Sequence, residues 1–184
     1  VAAPTAGACG VLPAVILSIQ EQRGITDEEM VRSMLVSAGI GQVIAERASI
    51  AGASGGCQAE IGSASAMAAG AAVCLCGGSK EQIADAAAMA LKNLLGLVCD
   101  PVGGLVEIPC VKRNAGGAVN ALTAADMALA GIRSVIPFDQ VVDAMKAIGD
   151  SLPPSLRETG QGGLADTPEA AEIVASLKNR GILA

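Results

Sequence analysis

Apolar positions recur along this chain at helical spacing between Gly-rich turns, and no stretch shows the strict apolar/polar alternation of a half-buried strand. Thr26 followed by Glu29 is a capping box: the hydroxyl accepts a first-turn N–H while the carboxylate reaches back to the cap. It predicts a helix from about Asp27 with Met30, Leu35 and Val36 on an apolar stripe. Gly39 and Gly41 interrupt that helix before a second run, Gln42 to Ala48. Ser79 with Gln82 repeats the signal and predicts a helix over Glu81 to Leu95, stopped by Gly96. Further helices are expected over Ala118 to Ala130, over Phe138 to Ile148 after Pro137, and from Pro168, capped by Thr167, to Gly181. Ser151 to Gly163, with Pro153 and Pro154, reads as one long loop. The expected fold class is all-α, a compact bundle of tightly packed helices with Gly/Pro-rich loops. Residues 1–184 form one domain in this reading, and the start at Val1 reads as a fragment or processed piece lacking upstream residues.

Two uncharged stretches, Val1 to Gln20 and Ile61 to Ser79, raise the question of a membrane span. The first contains Pro4, Gly7, Gly10 and Pro13, and the second is mainly Ala, Gly and Ser, which gain little on transfer to lipid. Both are therefore expected as buried helices of a protein outside the membrane. No basic segment precedes an apolar one as in a secretory signal.

Composition narrows the chemistry. There is one Phe, with no Trp, Tyr or His, and 23 Gly, so the core must be closed by small side chains that let backbones approach. Without His, the chain cannot complete a Ser-His, Cys-His or His-bound zinc site by itself. Twelve Lys and Arg against 18 Asp and Glu give a formal charge of −6, which argues against a nucleic-acid partner.

The 6 Cys fall into no Cys-x-x-Cys pair and are too sparse for a disulfide scaffold, so a reduced, cytoplasmic setting is expected. Three segments set Cys beside Gly or Pro. They are Pro4-Thr5-Ala6-Gly7-Ala8-Cys9-Gly10, Gly52 to Gly62 around Cys57, and Val98-Cys99-Asp100-Pro101 through Ile108-Pro109-Cys110-Val111-Lys112-Arg113-Asn114. Such loops expose backbone N–H groups and can hold thiolates around a metal. From the residues alone, ligation and ordinary packing of small apolar Cys stay equally open.

Four long words in the same order, PTAGACG, SGGCQAEIGSASAMAA from Ser54 to Ala69, CDPVGGLVEIPCVKRN from Cys99 to Asn114, and LRETGQGGLA from Leu156 to Ala165, carry a resemblance. The sequence resembles the α chain, or catalytic domain, of the bacterial iron-sulfur L-serine dehydratases. The resemblance implies a lyase of amino-acid catabolism and gluconeogenesis, converting L-serine to pyruvate and ammonia. It implies an oxygen-sensitive 4Fe-4S cluster held by Cys57, Cys99 and Cys110. A regulatory β domain or separate β chain, a homo- or hetero-oligomer, and no nucleic-acid or membrane partner are implied with it. Clusters usually have four thiolate ligands, so three leave one iron free to act as a Lewis acid on the serine hydroxyl. The Lys residues lie in no phosphate-cradling context, which weakens a pyridoxal-phosphate alternative.

Substrate contacts are expected from Thr5, Ala6, Gly7, Ser54 and Lys112, the last as a cation for the serine carboxylate. Thr5 and Ser54 could equally cap their own turns. Cys74 and Cys76 read as core packing, and Cys9 belongs to a binding loop rather than to the ligand set. Glu60 reads mainly as a helix-start carboxylate, with a role as base the lesser reading. The alternatives are a noncatalytic zinc or iron-sulfur binding domain, for which Asp100 or Cys9 would be a fourth zinc ligand, and an aconitase-like hydro-lyase.

Overall fold

The computed structural model describes residues 3–183. Eight helices follow in order: α1 (Val11–Arg23), α2 (Asp27–Arg47), α3 (Gly52–Gly55), α4 (Ser63–Leu75), α5 (Lys80–Lys92), α6 (Cys110–Leu129), α7 (Phe138–Ser151) and α8 (Pro168–Asn179). A π-helical turn, Gln58–Gly62, leads into α4. Among the described residues there is no strand, and the all-α expectation holds. Among the described residues no helix is long and apolar enough to cross a membrane.

α4 is the axis of the fold and packs against α1, α2, α5 and α6. Every residue from Ser63 to Val73 is buried, and nearly all are Ala, Gly or Ser, so neighbouring backbones come close on all sides. Gly70 shows how close: a Cβ there would overlap Ile40 Cδ1 of α2. The few polar groups in this contact are satisfied. Ser37 Oγ donates to Met67 O at 3.0 Å, Ser65 Oγ donates to Gly117 O at 2.9 Å, and Asn120 Nδ2 donates to Ser65 Oγ and Ala90 O at 2.8 and 2.9 Å. Larger side chains fill the periphery, with Ile44, Ile61 and Leu91 fully buried and each contributing roughly 1.5–3 kcal/mol by leaving water.

Local signals and tertiary packing part company at three places. The caps at Thr26, Ser79 and Thr167 form as expected, the first two as complete capping boxes. α2, however, runs unbroken through Gly39 and Gly41, because packing on α4 outweighs the helix-propensity cost of about 1 kcal/mol per Gly. α5 ends at Lys92 rather than Leu95, since the Gly96 N–H turns to donate to Gln58 Oε1 at 2.9 Å. α6 begins at Cys110, not Ala118, because Gly116 and Gly117 are taken into the helix, Gly117 against Ile61 and Val11. The 151–163 loop contains a 3-10 turn, Pro154–Leu156, and α8 packs on the turns at 102–104 and 163–166.

Candidate functional site

Each Cys of the expected ligand set sits where a loop meets a helix. Cys57 is the cap of the π-helical turn, fixed from behind by Gln58, whose buried Nε2 donates to Gly55 O and Met145 O, both at 2.9 Å. Cys110 opens α6, where the free N–H groups of a first turn favour negative charge. Cys99 lies in the one β-type pairing among the described residues: its N–H donates to Leu156 O at 2.9 Å, and Glu158 N–H donates to its O at 2.8 Å. Two of the four motif words, CDPVGG and LRETGQGG, are thus joined directly.

All three thiols are buried and lie within electrostatic reach of one another. Burial pushes Cys57 up to about 11, against the pull of the Arg113 guanidinium and with help from Glu60 and Cys110. It pushes Cys99 up to about 12, helped by the nearby Cys57, Glu158, Glu60 and Cys110. Cys110 is also raised, by burial and then by Glu60, with Arg113 opposing. Thiols held so far above their ordinary value stay protonated near neutral pH unless a cationic group joins them. Among the described residues no three His, Cys, Asp or Glu close to the spacing that holds a single ion. A multi-atom group, in which each thiolate binds a different iron, does not need that convergence.

Around the thiols lie the charges. Arg113, three residues into α6, donates to Val98 O at 2.9 Å and ion-pairs with the buried Asp100 at 2.9 Å. Asp100 also accepts from Leu164 N–H at 2.8 Å, and Gly163 lies so close that a Cβ there would stand 2.5 Å from Asp100 Oδ2. Asn114, one helical turn after Cys110, clasps the opening loop: Oδ1 accepts from Gly10 N–H at 2.9 Å, and Nδ2 donates to Gly7 O at 2.7 Å and Cys110 O at 2.8 Å. Glu60 is half-buried and points to this loop. Burial and then the Glu158 carboxylate raise it, while the Gly52 amide and Thr5 hydroxyl pull it down. The Thr5 hydroxyl is buried without a well-aligned partner.

The expected substrate contacts divide. Thr5 and Gly7 stand at the Glu60 carboxylate, and Ala6 is exposed next to them. Ser54 is exposed and lines a cavity of about 170 Å³ with Ala48, Ser49, Met145 and Lys146, a cavity that no Cys lines. Lys112 is exposed, and it is Arg113 whose charge reaches the thiols. Cys9 is exposed, while Cys74 and Cys76 are only partly buried at the end of α4 rather than in the core, because the helix runs out there at Gly77. Arg113, Asn114 and Glu158 received no specific role from the sequence, and Asp100 only that of a fourth ligand in the zinc alternative. Their signal was their place inside the long motif words rather than any local pattern.

The chain is similar to known proteins of one family. Residues 1–165 match the family described as "Serine dehydratase alpha chain". The chain is 59% identical over 172 residues to "Probable L-serine dehydratase, alpha chain" of Bacillus subtilis (strain 168), covering 94% of this chain and 57% of that protein. It is 59% identical over 167 residues to the protein of the same name from Latilactobacillus sakei, with 91% and 80% covered. To "L-serine dehydratase, alpha chain" of Peptoniphilus asaccharolyticus it is 52% identical over 173 residues, with 94% and 59% covered. The chain thus spans a little under three fifths of the first and third of these relatives. It belongs to the serine dehydratase alpha chain family.

Proposed function

We propose that this chain is the cluster-binding catalytic part of a cytoplasmic L-serine dehydratase, releasing pyruvate and ammonia from L-serine. The observation that carries the reading is the meeting of Cys57, Cys99 and Cys110, from three separated segments, in one buried site beside two carboxylates and the family's opening loop. The donor set fits a 4Fe-4S group held by these three Cys, and when bound that group would supply a Lewis-acidic iron for the serine hydroxyl. The protein's own part is then electrostatic and positional. Arg113 offsets negative charge at the thiolates and is itself held by Asp100. Asn114 fixes the backbone of Gly7 and Gly10, so Thr5 is held at Glu60 with little freedom to move. The words "alpha chain" in the relatives' names support a β chain as partner.

The test is anaerobic reconstitution of the full-length protein with ferrous iron and sulfide, followed by iron and acid-labile sulfide analysis and a pyruvate assay on L-serine. Cys57→Ser, Cys99→Ser and Cys110→Ser are expected each to lose iron and sulfide, and Cys74→Ser and Cys76→Ser to keep both. Zinc bound without sulfide, or turnover that survives removal of iron, would overturn the reading.

A further inference from the structure

Glu60 stands where three distant segments meet. Its Oε2 lies directly over the opening loop, where a Cβ added to Gly7 would overlap it. On the other side, a Cβ added at Gly52 would stand 2.8 Å from Cys99 Sγ and 3.4 Å from Glu158 Oε2. The bare Gly7 therefore leaves room for the Glu60 carboxylate, and the bare Gly52 for the Cys99 thiol with Glu158 at its edge. Glu158 is held there in the left-handed region, φ 65°, unusual for a residue with a side chain, and its N–H is anchored on Cys99 O.

This pair lacks a counter-charge. Among the described residues neither Glu60 nor Glu158 takes part in an ion pair, and Arg113, whose charge reaches the thiols, is engaged by Asp100 and Val98 O. The buried Thr5 hydroxyl stands at the Glu60 carboxylate and has no other partner. A half-buried carboxylate with an exposed second one beside it is stabilised when a cation joins them, and the oxygen of the Thr5 hydroxyl can still accept. An amino-acid substrate carries a compact cation with several N–H donors on its α-carbon.

We propose that Glu60, with Glu158 beside it and the Thr5 hydroxyl as a further acceptor, receives the α-ammonium group of the amino-acid substrate. The inference rests on the serine dehydratase reading and adds the residues that distinguish an amino acid from a hydroxy acid. A side chain at Gly7 would fill the space of the Glu60 carboxylate, and one at Gly52 would press first on Cys99 Sγ.

The experiment compares L-serine with 3-hydroxypropanoate, which keeps the hydroxyl and carboxylate of serine and lacks the ammonium, on the anaerobically reconstituted full-length enzyme. Glu60→Gln keeps an acceptor for the Gly52 amide and removes only the charge. It is expected to raise KM for L-serine roughly 10- to 100-fold, the loss of one charge-assisted hydrogen bond, and to leave inhibition by 3-hydroxypropanoate within about 3-fold. Iron-to-sulfide ratio and visible spectrum should stay as in the unmutated enzyme. Glu158→Gln should show the same pattern more weakly, and Gly7→Ala should reproduce it by displacing the Glu60 carboxylate. An unchanged KM for L-serine, equal weakening of both ligands, or loss of iron in Glu60→Gln would each overturn the assignment. If the unmutated, cluster-loaded enzyme forms no pyruvate from L-serine, the functional reading itself fails and takes this one with it. That outcome is recognised without any variant.

Discussion

Replacing Gln58 by Leu isolates the buried amide that holds Cys57 in place. The two side chains have similar volume, so the change removes hydrogen bonds without opening a large cavity. Gln58 is fully buried; its Nε2 donates to Gly55 O and Met145 O at 2.9 Å, and its Oε1 accepts from Gly96 N–H at 2.9 Å. Leu leaves the two buried carbonyls without this donor, at about 1–1.5 kcal/mol each, while Gly96 is exposed and its amide can turn to water at about 0.5 kcal/mol. The sum is a loss of about 2–4 kcal/mol, or a fall in Tm of roughly 5–15 °C for a chain of this size. Urea unfolding of the metal-free chain, followed by far-UV circular dichroism because there is no Trp or Tyr to report fluorescence, measures it. A change below about 0.5 kcal/mol, the range of an ordinary surface substitution, would refute the view that this amide ties α3, α7 and the turn at Gly96 together.

Three further outcomes follow from the thiols and the capping carboxylate. In the metal-free chain, iodoacetamide at neutral pH should label exposed Cys9 well before buried Cys57 and Cys99, and mass spectrometry of peptides would reveal the opposite order if it occurred. Because the folded-state thiols are raised to about 11 and about 12 from an ordinary 9.0, the stability they contribute is complete below pH 9.0 and lost as pH rises through those values. Alkaline unfolding should therefore begin earlier in the metal-free wild type than in Cys57→Ala/Cys99→Ala, and coincident curves would contradict it. Glu29 is lowered from 4.5, first by the Thr26 backbone N–H and then by its hydroxyl, so the capping box is intact above pH 4.5 and weakens as pH falls through the lower folded value. Glu29→Gln should abolish that acid-side step in α2 helicity, and a step that persists in the variant would point to another group.

What the sequence disclosed divides by the range of the interaction. Capping boxes at Thr26 and Ser79 and the Pro168 start are settled within four residues, and they were readable. The continuity of α2 through Gly39 and Gly41, and the early start of α6, were not, because each depends on what another helix presents: Gly41 faces Met67, and Gly117 faces Ile61 and Val11. The site follows the same division. Cys57, Cys99 and Cys110 stood out through their Gly- and Pro-rich words, whereas Asp100, Asn114 and Glu158 act only across separations that no local period records. Lys112 was preferred to Arg113 as the site cation in one dimension, but the start of α6 at Cys110 sets Lys112 outward and turns Arg113 toward Cys57.

The run of minimal side chains along α4 bears on how this molecule can vary. Most cores can lose a methyl group and settle around the gap, but a helix of Ala, Gly and Ser has almost nothing to lose, so nearly every substitution there is an enlargement. Enlargement in a close-packed site costs about 1–3 kcal/mol and moves backbone rather than a flexible side chain. α4 therefore behaves as a bearing machined to fixed clearance. Adaptation of the fold must come from the outward faces of its neighbours, where exposed Leu17, Val31 and Leu35 can change size without shifting the shaft that carries Cys57 and Glu60 at its head.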